Sequence, residues 1–273
     1  MSAFELASAL RLVESSEGKR RFEGDLPEAW LQGKGAFGGL VIGLLARGLV
    51  SCEEDRSRTL RSLNADLIAS TQPGPFTVEV AHLRRGSNVS FLEAKLLQNG
   101  APMARGAATM ASTREVAPSA VMQAQPPPAL EPQPPWTEAP VLPVEPPAGP
   151  VFAVNYEYRS SGPYPFSGET RPYASGWVRE REPPAQLDEA AIVGLMDAWW
   201  PTSLTVATRP RIAVTVGFTM QLLKRPASLD PKQPLYYRAH AVGGGDNYFV
   251  EFRELWSGGE VVALNQQTFA MLT

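Results

Sequence analysis

Residues 187–201 read LDEAAIVGLMDAWWP, and this stretch decides the fold. Asp188 is an N-cap residue type standing before an apolar run, and Pro201 supplies a stop, so the pattern predicts a helix from Glu189 to Trp200. Within it Asp197 is surrounded by Ile192, Val193, Leu195, Met196, Trp199 and Trp200. A carboxylate buried in such company is costly unless hydrogen bonds compensate it, and burial lifts its pKa toward the working range of a general base. The competing reading is an aspartate that caps the helix or faces solvent near its end.

Working outward from this helix, period-2 alternation predicts strands at Ile212–Leu222, Leu235–Ala241, Tyr248–Trp256 and Val261–Met271. The first half of the chain repeats the order. Gly39 to Val50 is an apolar, helix-length segment, and strands are predicted at Leu60–Ala69, Phe76–Arg84, Val89–Gln98 and Met103–Ser112. Gln98-Asn99-Gly100 and Ser257-Gly258-Gly259 read as hairpin turns, and Gly243-Gly244-Gly245 as a hairpin loop. An offset of 151 places Gly43 on Gly194, Arg58 on Arg209 and Asn64 on Thr215. Later an offset of 158 pairs Glu93 with Glu251, Lys95 with Arg253, Leu97 with Leu255 and Gly100 with Gly258. The Glu-x-Lys and Glu-x-Arg alternation then reads as the polar face of a half-buried strand. Two copies of a helix followed by antiparallel strands predict a duplicated α+β unit.

The two units are separated by composition. Between Ala117 and Pro150 the chain carries twelve of its 26 prolines, which excludes a central strand or a helix interior there. The expected domains are residues 1–116 and 151–273, with 117–150 an extended linker that Trp136 pins to an apolar surface. The length of 273 residues fits two domains.

Bulk features exclude several functions. A net charge of -3 without a basic cluster argues against nucleic acid. The single cysteine, Cys52, excludes a disulfide framework and a cysteine-based metal site, and its acidic neighbours Glu53, Glu54 and Asp55 mark it as structural. No metal-ligand cluster or cofactor motif is evident, so neither metal nor cofactor is expected. Met1–Leu12 lacks the form of a signal peptide, and Leu40–Val50 is too short and interrupted to span a bilayer, so a cytoplasmic protein is expected. Gly33 to Gly38 fits G-x-G-x-x-G, yet Asp25–Trp30 before it is not the buried strand a dinucleotide site requires. Its glycines instead let a ligand carbonyl or phosphate approach the helix start. His82 and His240 sit in alternating strands and are read as surface or packing residues.

The chain resembles the double-hotdog acyl-CoA thioesterases of the thioesterase II type. The likeness rests on Phe37-Gly38-Gly39, Leu60-Arg61-Ser62-Leu63-Asn64, Leu83-Arg84-Arg85-Gly86-Ser87-Asn88 and Gln98-Asn99-Gly100-Ala101-Pro102. In the second half it continues through Arg225-Pro226, Asp246-Asn247-Tyr248 and the ending Val261-Val262-Ala263-Leu264-Asn265-Gln266-Gln267. It implies a tandem hotdog fold, an acyl-CoA substrate hydrolysed by activated water, and a dimer. The family's Asp, Thr or Ser, and Gln fall on Asp197, Thr215 and Gln267. Thr219 competes with Thr215, because one extra residue precedes Arg225-Pro226, and Gln266 adjoins Gln267. The two offsets put Ala46, Asn64 and Thr109 at the matching first-half positions, which implies one working site per chain. Asp66 is the first-half carboxylate that would contradict this. Gly38 and Gly39 are candidates for substrate binding, and Trp199 and Tyr248 for lining an acyl tunnel. The alternatives are a non-catalytic acyl-CoA binder and a hotdog hydratase or dehydratase, the latter disfavoured by where the histidines fall. Acyl chain length and type, oligomeric state and pathway are not legible.

Overall fold

The computed structural model describes residues 1–113 and 133–272. Asp188 caps the second-half helix as its side chain allows, accepting the Ala191 N–H at 2.8 Å. This helix, here α3, runs Glu189–Asp197 and not to Trp200. At its end an Arg253 Nη1 donates to the carbonyl of Met196, within the last turn, and to that of Trp199, past it. Pro201 instead precedes a separate short helix, α4 (Ser203–Val206). The first-half helix, α2, spans Gly38–Cys52, and a short N-terminal helix, α1 (Ala3–Ala7), precedes it.

All four predicted first-half strands form: β5 (Arg58–Leu67), β6 (Gly74–Arg85), β7 (Val89–Gln98) and β8 (Ala101–Ser112). In the second half they are β12 (Ile212–Leu222), β13 (Leu235–Gly245), β14 (Tyr248–Ser257) and β15 (Glu260–Leu272). Gly243–Gly245 continue β13, and Asp246 and Asn247 make the turn with φ of 51° and 63°. The alternation does not reveal the strands ahead of each helix. These are β1 (Arg11–Ser16), β2 (Lys19–Leu26), the β3 (Leu31–Gln32) and β4 (Gly35–Ala36) hairpin, β9 (Val141–Leu142), β10 (Tyr156–Ser160) and β11 (Tyr173–Glu180). The G-x-G-x-x-G glycines therefore lie on a tight antiparallel hairpin, not in a βαβ unit.

Among the described residues thirteen strands form one antiparallel sheet in the order β1-β2-β6-β7-β8-β5-β12-β15-β14-β13-β11-β10-β9. The halves meet where β5 pairs with β12, and Asn64 and Thr219 face each other with the threonine hydroxyl donating at 3.0 Å. Both helices pack together within one core that includes Leu40, Leu63, Leu92, Ile192, Met196 and Phe218. Phe4 is wedged between them: a Cβ on Gly43 would sit 2.8 Å from its ring, and one on Gly194 only 2.6 Å away. The Gly43–Gly194 pairing read from the sequence thus has a packing reason.

The strand offset needs a correction. Bulges fall between Leu60 and Ser62 in β5 and between Thr215 and Gly217 in β12, so Leu60 corresponds to Thr215. The positive-φ turn residues Asn99 and Gly100 correspond to Gly258 and Gly259, an offset of 159 and not 158. A one-residue slip moves a side chain to the opposite face of a sheet. Glu251 and Arg253 accordingly match Leu92 and Ala94, and all four point inward. Asn64 matches Thr219, and Ala108 rather than Thr109 matches Gln267.

Residues 114–132, which include the first part of the expected 117–150 linker, lie outside the described residues. Of the rest, Val141 and Leu142 pair with β10, joining the second-half sheet. Trp136 is sandwiched by cations, with the Arg159 and Arg179 guanidinium carbons 4.6 and 4.9 Å from its ring centre.

Candidate active site

Asp197 ends α3 at the point where this helix meets the start of α2. The N-terminal amides of a helix have no intrahelical acceptors and favour an anion. The Gly39 amide meets the Asp197 carboxylate. Close approach explains the glycines: a Cβ on Gly38 would lie 3.0 Å from Asp197 Oδ2, and one on Gly39 would lie 2.9 Å from Asp197 Cβ.

The inward face of β15 brings Gln267 to the same carboxylate, its Nε2 donating to Oδ1 at 2.8 Å. Thr215, on β12 beside its bulge, donates its hydroxyl to Gln267 Oε1 at 3.0 Å. The amide is thereby fixed in one orientation, with its donor toward Asp197. Geometry separates the open pairs. Thr219 is turned to Asn64, and Gln266 is exposed on the opposite face from fully buried Gln267.

Asp197 is buried, with 8 % of its surface exposed. Burial pushes its pKa above the ordinary aspartate range, while Arg253, Gln267 and the Gly39 amide pull it back down, and Glu251 pushes it up. The net direction is upward, because burial outweighs the groups that favour the charged form.

Two neighbouring groups escaped the sequence reading because the offset of 158 had set them on the outer face. Arg253 Nη1 lies 3.4 Å from Asp197 Oδ1, and its Nε donates to Glu251 Oε1 at 2.6 Å. Glu251 in turn accepts the Thr202 N–H and hydroxyl at 2.8 and 2.7 Å. The readable signal was the alternation itself: Glu251 and Arg253 share the parity of Phe249 and Leu255, both buried.

Other candidates lie apart. Trp199 is buried, stacked on Tyr237 at 5.2 Å and against Trp200 at 4.6 Å, so it belongs to the aromatic core. Tyr248 opens β14 and is exposed. Asp66 is exposed and paired with Arg105 at 2.6 Å. His82 reaches the Cys52 carbonyl at 3.3 Å, and His240 lies edge-on to Phe252. Cys52 is buried at the end of α2, and burial pushes its thiol pKa up. Among the described residues no group of His, Cys, Asp and Glu has the form of a metal site, and no helix is long and apolar enough to cross a membrane.

Residues 123–271 match the family model described as the acyl-CoA thioesterase C-terminal domain, and residues 26–111 match that of the acyl-CoA thioesterase N-terminal domain. Comparison with curated proteins gave no match. Among solved structures, a hot dog fold protein of unknown function from Alicyclobacillus acidocaldarius is 24% identical, with TM-score 0.86 over 100% of this chain and 99% of its own. A protein from Thermobifida fusca, provisionally named a thioesterase II, is 23% identical with TM-score 0.80, over 100% and 98% of the two chains. The acyl-CoA thioesterase II TesB2 of Mycobacterium marinum is 16% identical with TM-score 0.74, over 99% and 97%. At such identities the likeness is one of fold, and the fold is the hotdog.

Proposed function

The chain belongs to the acyl-CoA thioesterase family, and we propose that it hydrolyses an acyl-CoA thioester to a free acid and CoA with Asp197 as general base. The fold is read as a tandem hotdog, residues 1–116 and 151–273, with one working site per chain. The single observation that carries the reading is the ordered chain from Thr215 through Gln267 to Asp197, set against the start of α2.

In this mechanism Asp197 takes a proton from a water as the water oxygen attacks the thioester carbonyl carbon. The C–S bond then breaks, and the protonated carboxyl returns its proton to the leaving thiolate. Gln267 and Thr215 hold the carboxylate and the water in line, since each offers both donor and acceptor atoms. Gly39 is already engaged with Asp197, so Gly38 is the helix-start amide assigned to the carbonyl oxygen as it gains charge. Nothing in this sequence of steps requires a cofactor.

The test is a panel of acyl-CoAs of differing chain length, followed by free-thiol release without added metal or nucleotide. At least one should be turned over, and Asp197→Asn should lower kcat by about 10²–10⁴ with little change in KM. Tight binding without turnover across the panel would favour a non-catalytic acyl-CoA binder. An undiminished Asp197→Asn enzyme would remove Asp197 from the mechanism.

A further inference from the structure

Glu251 and Arg253 are the most deeply buried ions beside the site, with side chains 0% and 1% exposed. They stand on adjacent inward positions of β14. One Arg253 nitrogen, Nη1, reaches the Met196 carbonyl at 3.3 Å, Asp197 Oδ1 at 3.4 Å and the Trp199 carbonyl at 3.5 Å. The guanidinium also lies 5.1 Å from the Phe269 ring centre and 5.8 Å from that of Tyr237, which fixes its plane. Glu251 grips Arg253 with one oxygen and Thr202 with the other, so the pair clamps both sides of the break between α3 and α4.

A purely structural role explains this arrangement poorly. A buried ion pair is weak evidence for stability, since apolar side chains of similar volume often serve as well. The molecule contains that comparison within itself. At the corresponding first-half positions Leu92 and Ala94 are buried, and the helix position matching Asp197 is Ala46. The corresponding strand positions fold without ions there, beside a helix α2 that continues unbroken to Cys52.

We propose that Arg253, anchored by Glu251, is a positioning residue that fixes the orientation and charge state of the Asp197 carboxylate. The inference rests on the reading of Asp197 as general base. Among the described residues the charged and titratable groups that act on Asp197 are few. Arg253 and Glu251 approach from β14, Tyr158 from β10 and Tyr237 from β13, with Tyr156 farther off. Burial pushes all three phenols up, so they stay neutral near neutral pH. On the other sides α2, β12 and β15 present Gly39, Thr215 and Gln267, which do not titrate. The Glu251–Arg253 pair is thus the control on Asp197 charge.

Two variants displace that control in opposite directions. Glu251→Gln leaves the Arg253 charge facing Asp197 alone and lowers the acid limb of kcat/KM by about one pH unit. The double variant Glu251→Gln/Arg253→Met removes the cation without stranding a buried carboxylate and raises the limb by about one to two pH units. Rates are read beside the titration of the Asp197 carboxyl itself, by carbon-13 NMR of aspartate-labelled protein. Its resonance is assigned by its loss in Asp197→Asn, and circular dichroism verifies that each variant is folded. Opposite displacements of that titration support the inference. A lost cap alone lowers activity in both variants and leaves the titration in place, or moves it one way, and either outcome overturns the inference. If the titration moves both ways while the rate profile does not follow, the inference stands and the general-base reading fails. Glu251→Gln retains the arginine and one acceptor oxygen, so the test survives if the double variant does not fold.

Discussion

At matching places the two halves of this molecule hold opposite chemistry. The second half has Asp197, Thr215, Glu251, Arg253 and Gln267, where the first has Ala46, Leu60, Leu92, Ala94 and Ala108, all buried. The strand framework corresponds in both, down to the bulge and the turn, while α2 continues to Cys52 and α3 ends at Asp197. At these five positions only the second half carries the desolvation cost of ionisable groups and must satisfy them with hydrogen bonds. The apolar half demonstrates what the scaffold needs in order to fold, and the polar half what is added to it. The polar set is therefore best read as functional.

Changes that break this contrast can be ranked. Asp197→Asn has the largest expected effect, on turnover. Next is its mirror, Ala46→Asp, which puts a carboxylate at a fully buried position of the hydrophobic core. It should destabilise the fold by about 3–5 kcal/mol, read by denaturant unfolding, and create no second activity. A well-folded Ala46→Asp protein with doubled turnover would show that the first half is a latent site. Gln267→Ala removes one contact from the carboxylate and should lower kcat by about 10–10³. Loss of binding with unchanged kcat would instead make Gln267 a substrate contact.

Glu180 extends the comparison to the far end of the helices. By strand register it stands where the first half has Leu26, and both are buried. Burial pushes its pKa from an ordinary 4.5 to about 7. The folded chain then keeps this proton between those two values while the unfolded chain has released it. This group therefore lowers stability as pH rises through that window, by up to about 3 kcal/mol. Glu180→Gln should abolish the slope, so its gain in Tm over the parent grows from about pH 5 to pH 7 and then levels off. A gain independent of pH would mean that Glu180 is not held protonated. The smallest effect is expected of Asp66→Asn, which alters an exposed pair with Arg105 and should leave turnover within about a few-fold. A dead Asp66→Asn enzyme would move the site to the first half.

Local features were legible. Asp188 capped its helix, Gly43 and Gly194 marked matching helical positions, and the turns at Asn99-Gly100 and Gly258-Gly259 bounded their hairpins. The cap and the turns rest on residues acting within a few positions of themselves, whereas the two glycines make room for Phe4. β10 and β11 were missed because the alternation of Tyr156–Ser160 and Tyr173–Glu180 is short and flanked by Gly, Pro and Ser. For Asp197 and Gln267 the family resemblance singled out the positions, and the apolar setting of Asp197 gave an independent reason.

The sequence by itself determined the repeat of helix and strands and the presence of one unusual carboxylate in the second helix. Only the tertiary structure decided that Thr215 rather than Thr219 meets Gln267, and that Glu251 and Arg253 point inward at Asp197. A Glu-x-Arg alternation looks the same whether its face meets water or the core. Its direction is set by a register one residue wide and by partners more than fifty positions away, which no local pattern records.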